Sequence, residues 1–81
     1  IANELLDING IEASFVLTEY NNKIYVSARS LDTINVQLIM ERMGGGGHMN
    51  MAGVQIEGKS LEEVKQMVIE TVKEMKADKS I

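Results

Sequence analysis

Four consecutive glycines, Gly44 to Gly47, run directly into the chain's single histidine, His48, and no other feature constrains the fold as tightly. Each glycine held in a regular element gives up roughly 0.5–1 kcal/mol relative to alanine, so an ordered run of four needs a reason. Three readings compete: a flexible linker, a cloning remnant of the Gly-His-Met type, and a loop whose backbone approaches something that a side chain would exclude. A linker would be flanked by polar sequence, whereas apolar periodic sequence lies on both sides. A remnant belongs at a chain end, whereas 43 residues of foldable sequence precede the run. The loop reading is therefore carried forward. In it, consecutive N–H groups turn into one concavity and bind an anion, and His48 adds a ring N–H or, beside a phosphate, a positive charge. The bland alternative for His48 is a capping or packing role.

Eighty-one residues fit one domain with a modest core. The net charge of −4 and the pI near 4.8 argue against a general nucleic-acid binder, which needs a basic face to displace counterions. A short or small phosphate ligand stays open. The absence of cysteine excludes disulfides and thiolate metal sites and fits a reducing compartment. With one histidine, and with Asp7, Asp32 and Asp78 at no ligand spacing, no metal site is expected in this segment. No apolar run approaches the roughly 18 residues that span a bilayer, and no signal-peptide pattern opens the chain. The sequence begins at Ile1 in structured-looking sequence, which reads as a piece of a longer protein whose activity depends on a segment outside it.

Along the chain, Leu5, Leu6 and Ile8 among polar neighbours predict a short helix stopped at Asn9-Gly10. Alternation then predicts strands over 12–19 and 23–30, joined as an antiparallel hairpin, with Ile24, Val26 and Ala28 on one face and Tyr25, Ser27 and Arg29 on the other. Ser30 to Thr33 breaks the pattern. Val36, Ile39, Met40 and Met43 predict a helix over 35–43 that runs into the glycines, and residues 52–56 predict a strand closing at Gly58. Ser60 and Glu63 form a capping box opening a helix with an apolar stripe of Leu61, Val64, Val68, Val72 and Met75. Its mixed charges read as a solvated face, and the tail beyond Ala77 reads as frayed. The fold class is α/β: a small single domain, a short mixed sheet with an antiparallel hairpin, covered by helices.

Arg29, at the end of the polar strand face, offers paired donors matched to phosphate oxygens, against the plainer reading of a surface ion pair. Ser27, Ser30 and Asn35 gain weight because the hairpin end and the glycine loop flank the same short helix. The methionines read as core and loop packing, with Met49 and Met51 placed to lie against a base.

The segment "SARS…INVQLIMERMGGGGHMNMAG" resembles the DHH-associated C-terminal domain, whose signature is a Ser-x-Arg-Ser strand end, Asn-Val before a helix, and Gly-Gly-Gly-His leading to Ala-Gly or Ala-Ala. The resemblance runs from Gly10 to about Ile56. It implies that Gly45, Gly46, Gly47 and His48 hold phosphate and that Arg29, Ser30 and Asn35 hold phosphate or sugar, with no catalytic residue in this segment. It also implies a partner DHH domain in the same chain that holds manganese and performs hydrolysis, leaving this segment without a cofactor and inactive alone. Within the superfamily, three residues between His48 and Ala52 make the chain most similar to membrane-anchored cyclic di-AMP phosphodiesterases of the GdpP type. The ligand so implied is cyclic di-AMP or a short adenine nucleotide, not long nucleic acid, bound by a cytoplasmic domain of a membrane-anchored parent that can pair as a homodimer. The alternatives are an oligoribonuclease or pAp phosphatase of the same superfamily, a nucleotide-binding module without a hydrolase, and a tRNA-contacting domain, which the acidic balance disfavours.

Overall fold

The computed structural model describes every residue except Ile1, Asn9 and Asp32. The Asn9 half of the Asn9-Gly10 stop and the Asp32 position of the Ser30–Thr33 break thus lie outside the described residues. The element order is β1 (Ala2–Asp7), β2 (Ala13–Tyr20), β3 (Lys23–Ser30), α1 (Val36–Arg42), β4 (Gly46–Gly47), β5 (Met51–Glu57) and α2 (Leu61–Ala77). One sheet forms in the order β1-β2-β3-β5-β4. Alternation sends Phe15, Leu17, Ile24 and Val26 to one face, where Val36, Ile39 and Met40 of α1 and Val64, Val68, Val72 and Met75 of α2 pack on them. The α/β layering expected from the sequence is present, with both helices on one face.

The expected mixed sheet is antiparallel at every pairing. The reason lies in the crossover. β3 and β4 both run against β5 and hence run the same way, as a strand–helix–strand crossover requires, but the hairpin from β4 folds β5 back between them. The parallel pair is thereby separated.

The helix expected at the N-terminus is instead the edge strand β1, paired with β2 from Ala2↔Glu19 to Asp7↔Ser14. Three apolar residues in so short a segment fit either period, and pairing decides. Leu6 is buried while its neighbour Leu5 is 65% exposed, the alternation of a strand. Glu4, on the helix side, meets the Lys65 ammonium of α2 at 3.1 Å, which ties the edge strand to the helix above it.

The β2–β3 hairpin turns through Asn21 and Asn22, both at positive φ (52° and 61°), a type I′ turn that asparagine tolerates and that matches strand twist. At the start of α2 the Ser60 hydroxyl accepts from the Glu63 amide at 3.1 Å while the Glu63 carboxylate accepts from the Ser60 amide at 3.0 Å. The tail read as frayed is tied down: Lys79 adopts φ 62°, and Ser80 N donates to Met75 O at 2.8 Å and Lys79 N to Lys76 O at 3.3 Å, a Schellman close.

Hydrogen bonds from Ser60 hold the Glu63 carboxyl below its ordinary pKa. A carboxylate depressed in the folded state contributes stability that is full above its unfolded pKa and lost as pH falls through its folded one. Ser60→Ala is expected to cost about 1 kcal/mol through loss of the hydroxyl acceptor for the Glu63 amide. Glu63→Ala removes the titrating carboxylate that accepts from the Ser60 amide, and in urea titrations its gap from wild type should be full at neutral pH and narrow on acidification through the carboxylate range; an equal gap at all pH values would contradict the capping account.

Candidate functional site

The sheet's second face carries no helix. Cross-strand register arranges its side chains in rows, because directly opposed residues share a face. The row nearest the end of β3 reads Asp7, Ser14, Arg29, Met51. His48 completes it, since His48 N donates to Met51 O at 2.7 Å and Met51 N to His48 O at 3.3 Å, closing the β4–β5 hairpin around Met49-Asn50. The second row reads Leu5, Val16, Ser27, Gly53, Gly46. Arg29 and His48 thus stand two strand spacings apart, roughly 10 Å, with Met51 between them.

Three hydrogen bonds fix this end of the sheet. The hairpin tip offers Asn50 O to Ser30 N at 2.9 Å and Met49 O to Val36 N at 3.1 Å. Leu31 N donates to Glu12 O at 2.9 Å. The end of β3, the start of α1 and the glycine–histidine hairpin are therefore held as one unit, as the sequence spacing suggested.

The glycines answer to backbone packing more than to an anion nest. A Cβ on Gly45 would lie 2.1 Å from Gly53 O and 2.6 Å from Val54 Cβ, and one on Gly47, at φ 144°, would lie 2.5 Å from Ala52 Cα. The chain lies flat on β5, closer than any side chain permits. The run of free amides expected from the sequence does not form, because Gly44 N donates to Glu41 O, Gly45 N to Met40 O and His48 N to Met51 O. Ladder alternation leaves the Gly47 N–H directed to the outer edge of β4. Gly46 has open space where its Cβ would stand. What the loop presents is a smooth edge beside an exposed imidazole.

Arg29 and His48 are exposed, and among the described residues neither side chain has an ion-pair or hydrogen-bond partner, whereas Lys23, Arg42 and Lys65 each pair with a carboxylate. Arg29 is the cation of this face left without a protein anion, and its fork matches phosphate oxygens. The acidic balance arises mainly before the first cation, at Glu4, Asp7, Glu12 and Glu19, whereas the four glutamates of α2 are nearly offset by Lys65, Lys73 and Lys76. Ser30 and Asn35 stand apart from the row. Ser30 falls on the helix-side parity of β3, and Asn35 is the N-cap of α1, its Oδ1 accepting from Gln37 N at 3.0 Å and Leu38 N at 3.4 Å.

Between Val16, Ser27, Gly53, Met51, Arg29 and Ser14 the open face sinks into a depression of about 570 Å³, within the size range of ligand sites. Ser14 and Val16 were not singled out in the sequence. The signal was there: a two-residue turn at Asn21-Asn22 sets Ser14 opposite Arg29 and Val16 opposite Ser27. Among the described residues no group of three His, Cys, Asp or Glu side chains is placed to hold a metal ion, and no helix is long and apolar enough to cross a membrane.

Residues 1–74 match the family described as the DHHA1 domain. The chain is 46% identical over 65 residues to a membrane protein–large ribosomal subunit bL9 fusion protein of Aster yellows witches'-broom phytoplasma, covering 79% of this chain and 8% of that protein. It is 42% identical over 72 residues to the cyclic-di-AMP phosphodiesterase PdeA of Listeria monocytogenes, covering 88% of this chain and 11% of that protein. A further relative, the bifunctional oligoribonuclease and PAP phosphatase NrnA of Thermus thermophilus, is 33% identical over 67 residues, covering 83% of this chain and 21% of that protein.

Proposed function

The chain belongs to the DHHA1 domain family, and on that premise we propose that it is the substrate-binding domain of a phosphodiesterase that opens cyclic di-AMP to pApA. The observation that carries this reading is the row Arg29–Met51–His48 on an open sheet face, two polar groups without partners among the described residues, about 10 Å apart on either side of Met51, with the smooth glycine edge beside His48. Arg29 grips one phosphate through paired N–H donors. His48 and the Gly47 N–H take oxygens at the other end, and Gly46 lets the phosphate come close. Ser30 and Asn35 serve the site from behind, by holding the hairpin and α1 in register; the Asn35 amide nitrogen stays available to a sugar hydroxyl.

In this reading hydrolysis belongs to a DHH domain elsewhere in a longer parent, where manganese is expected, and this domain is inactive alone. A cytoplasmic position in a membrane-anchored parent goes with the same reading; the phytoplasma relative is named a membrane protein fusion, which supports the membrane part alone. The NrnA relative favours one alternative, an oligoribonuclease or PAP phosphatase.

Turnover by the full-length parent separates the two. Cyclic di-AMP is expected to be the preferred substrate over pApA and longer oligoribonucleotides, and His48→Ala is expected to lower kcat/KM about tenfold, the value of one charge-assisted hydrogen bond. Preference for linear oligonucleotides would favour the alternative. Unchanged kinetics in the variant would remove His48 from the site.

A further inference from the structure

We infer that the depression on the open face is a nucleobase pocket that shares Arg29 and Met51 with the phosphate row and reaches beyond it into the second row; the inference rests on the phosphate reading of Arg29 and His48. A phosphate needs only the Arg29–His48 row. The depression straddles that row and the second one, bordered by Ser14, Arg29 and Met51 of the first and by Val16, Ser27 and Gly53 of the second, where its lining is small: Gly53 and Ser27 form the floor, with Val16 on one side and Met51 on the other. A floor without side chains beyond Cβ and Oγ accepts a flat ring, and the walls are an aliphatic branch and a polarizable thioether, both suited to the face of a purine. Val16 is 38% and Met51 52% exposed, apolar surface that a ring would cover.

The polar groups at the rim suit a base edge. Among the described residues the Ser14 and Ser27 hydroxyls have no hydrogen-bond partner, and each can donate to a ring nitrogen or accept from an exocyclic amine. Arg29 borders both regions, so one guanidinium reaches the phosphate while its plane flanks the ring. A hollow beside α2 is lined by Glu62, Glu63 and Glu70 against the single cation Lys59, a net negative lining that disfavours a nucleotide. The open face therefore assigns roles by row: phosphate at Arg29 and His48, base over Ser27 and Gly53.

The test compares AMP with ribose 5-phosphate, which share the phosphate and sugar and differ in the base. Wild-type chain, titrated by amide NMR, is expected to bind AMP about tenfold more tightly, the worth of one stacked base. Ser27→Leu fills the floor at an exposed strand position and is expected to remove that preference while ribose 5-phosphate binding stays as before. Met51→Ser, which removes a wall without adding bulk, is expected to reduce the preference as well. Equal affinity of the wild type for the two ligands would overturn the base pocket and leave the phosphate row standing. No response to either at millimolar concentration would overturn the phosphate reading and this inference with it. A preference retained in both variants would place the base elsewhere.

Discussion

Gly45→Ala is expected to destabilise this domain by roughly 3 kcal/mol, against a total near 4–12 kcal/mol for a chain of this length. The added methyl would stand 2.1 Å from Gly53 O, 2.6 Å from Val54 Cβ and 2.8 Å from Val54 Cα. Two of those atoms are backbone in the middle of β5, so relief requires moving the strand. Moving β5 disturbs its ladder with β3, which carries Val26 and Ala28 of the core. Gly46→Ala is the control, since its Cβ would meet nothing within 4 Å, and it should change stability by no more than about 0.5 kcal/mol. A thermal melt separates them: a fall of about 15 °C is expected for Gly45→Ala and almost none for Gly46→Ala. Equal small effects would mean that the glycine edge does not lie flat on β5.

The second large effect is on binding. Arg29→Ala is expected to weaken nucleotide affinity about 10- to 100-fold, the loss of a charge-assisted bidentate contact, with the fold unchanged because the side chain is exposed and has no protein partner. Arg29→Lys keeps the charge and loses the fork. It should recover only part of the affinity, and full recovery would reduce the role of Arg29 to a point charge. Calorimetric titration with pApA, checked by an unchanged melting temperature, reads both outcomes.

Much of this arrangement was legible in the residues. The hairpin, both helices and the capping box follow from periodicity and from Ser60 and Glu63, and the separation of Ser27 and Arg29 from Ile24, Val26 and Ala28 follows from strand alternation. β1 was not legible, because Leu5, Leu6 and Ile8 fit a helix as well as a strand until β2 is present to pair with them. The glycine run was half legible. That its backbone approaches something closely is correct, but the thing approached is β5, and only tertiary pairing reveals it. Asn35 reads in the sequence as a ligand contact, and its side-chain oxygen turns out to be committed to the first turn of α1.

The central claim is that the helix-free face, along the row from Ser14 to His48, is where a nucleotide phosphate binds. An amide NMR titration of this chain with pApA tests it most directly. The account predicts shifts concentrated at Ser14, Arg29, Met51, His48 and Gly46, with the outward face of α2 silent; shifts centred on α2, or spread evenly over both faces, would contradict it.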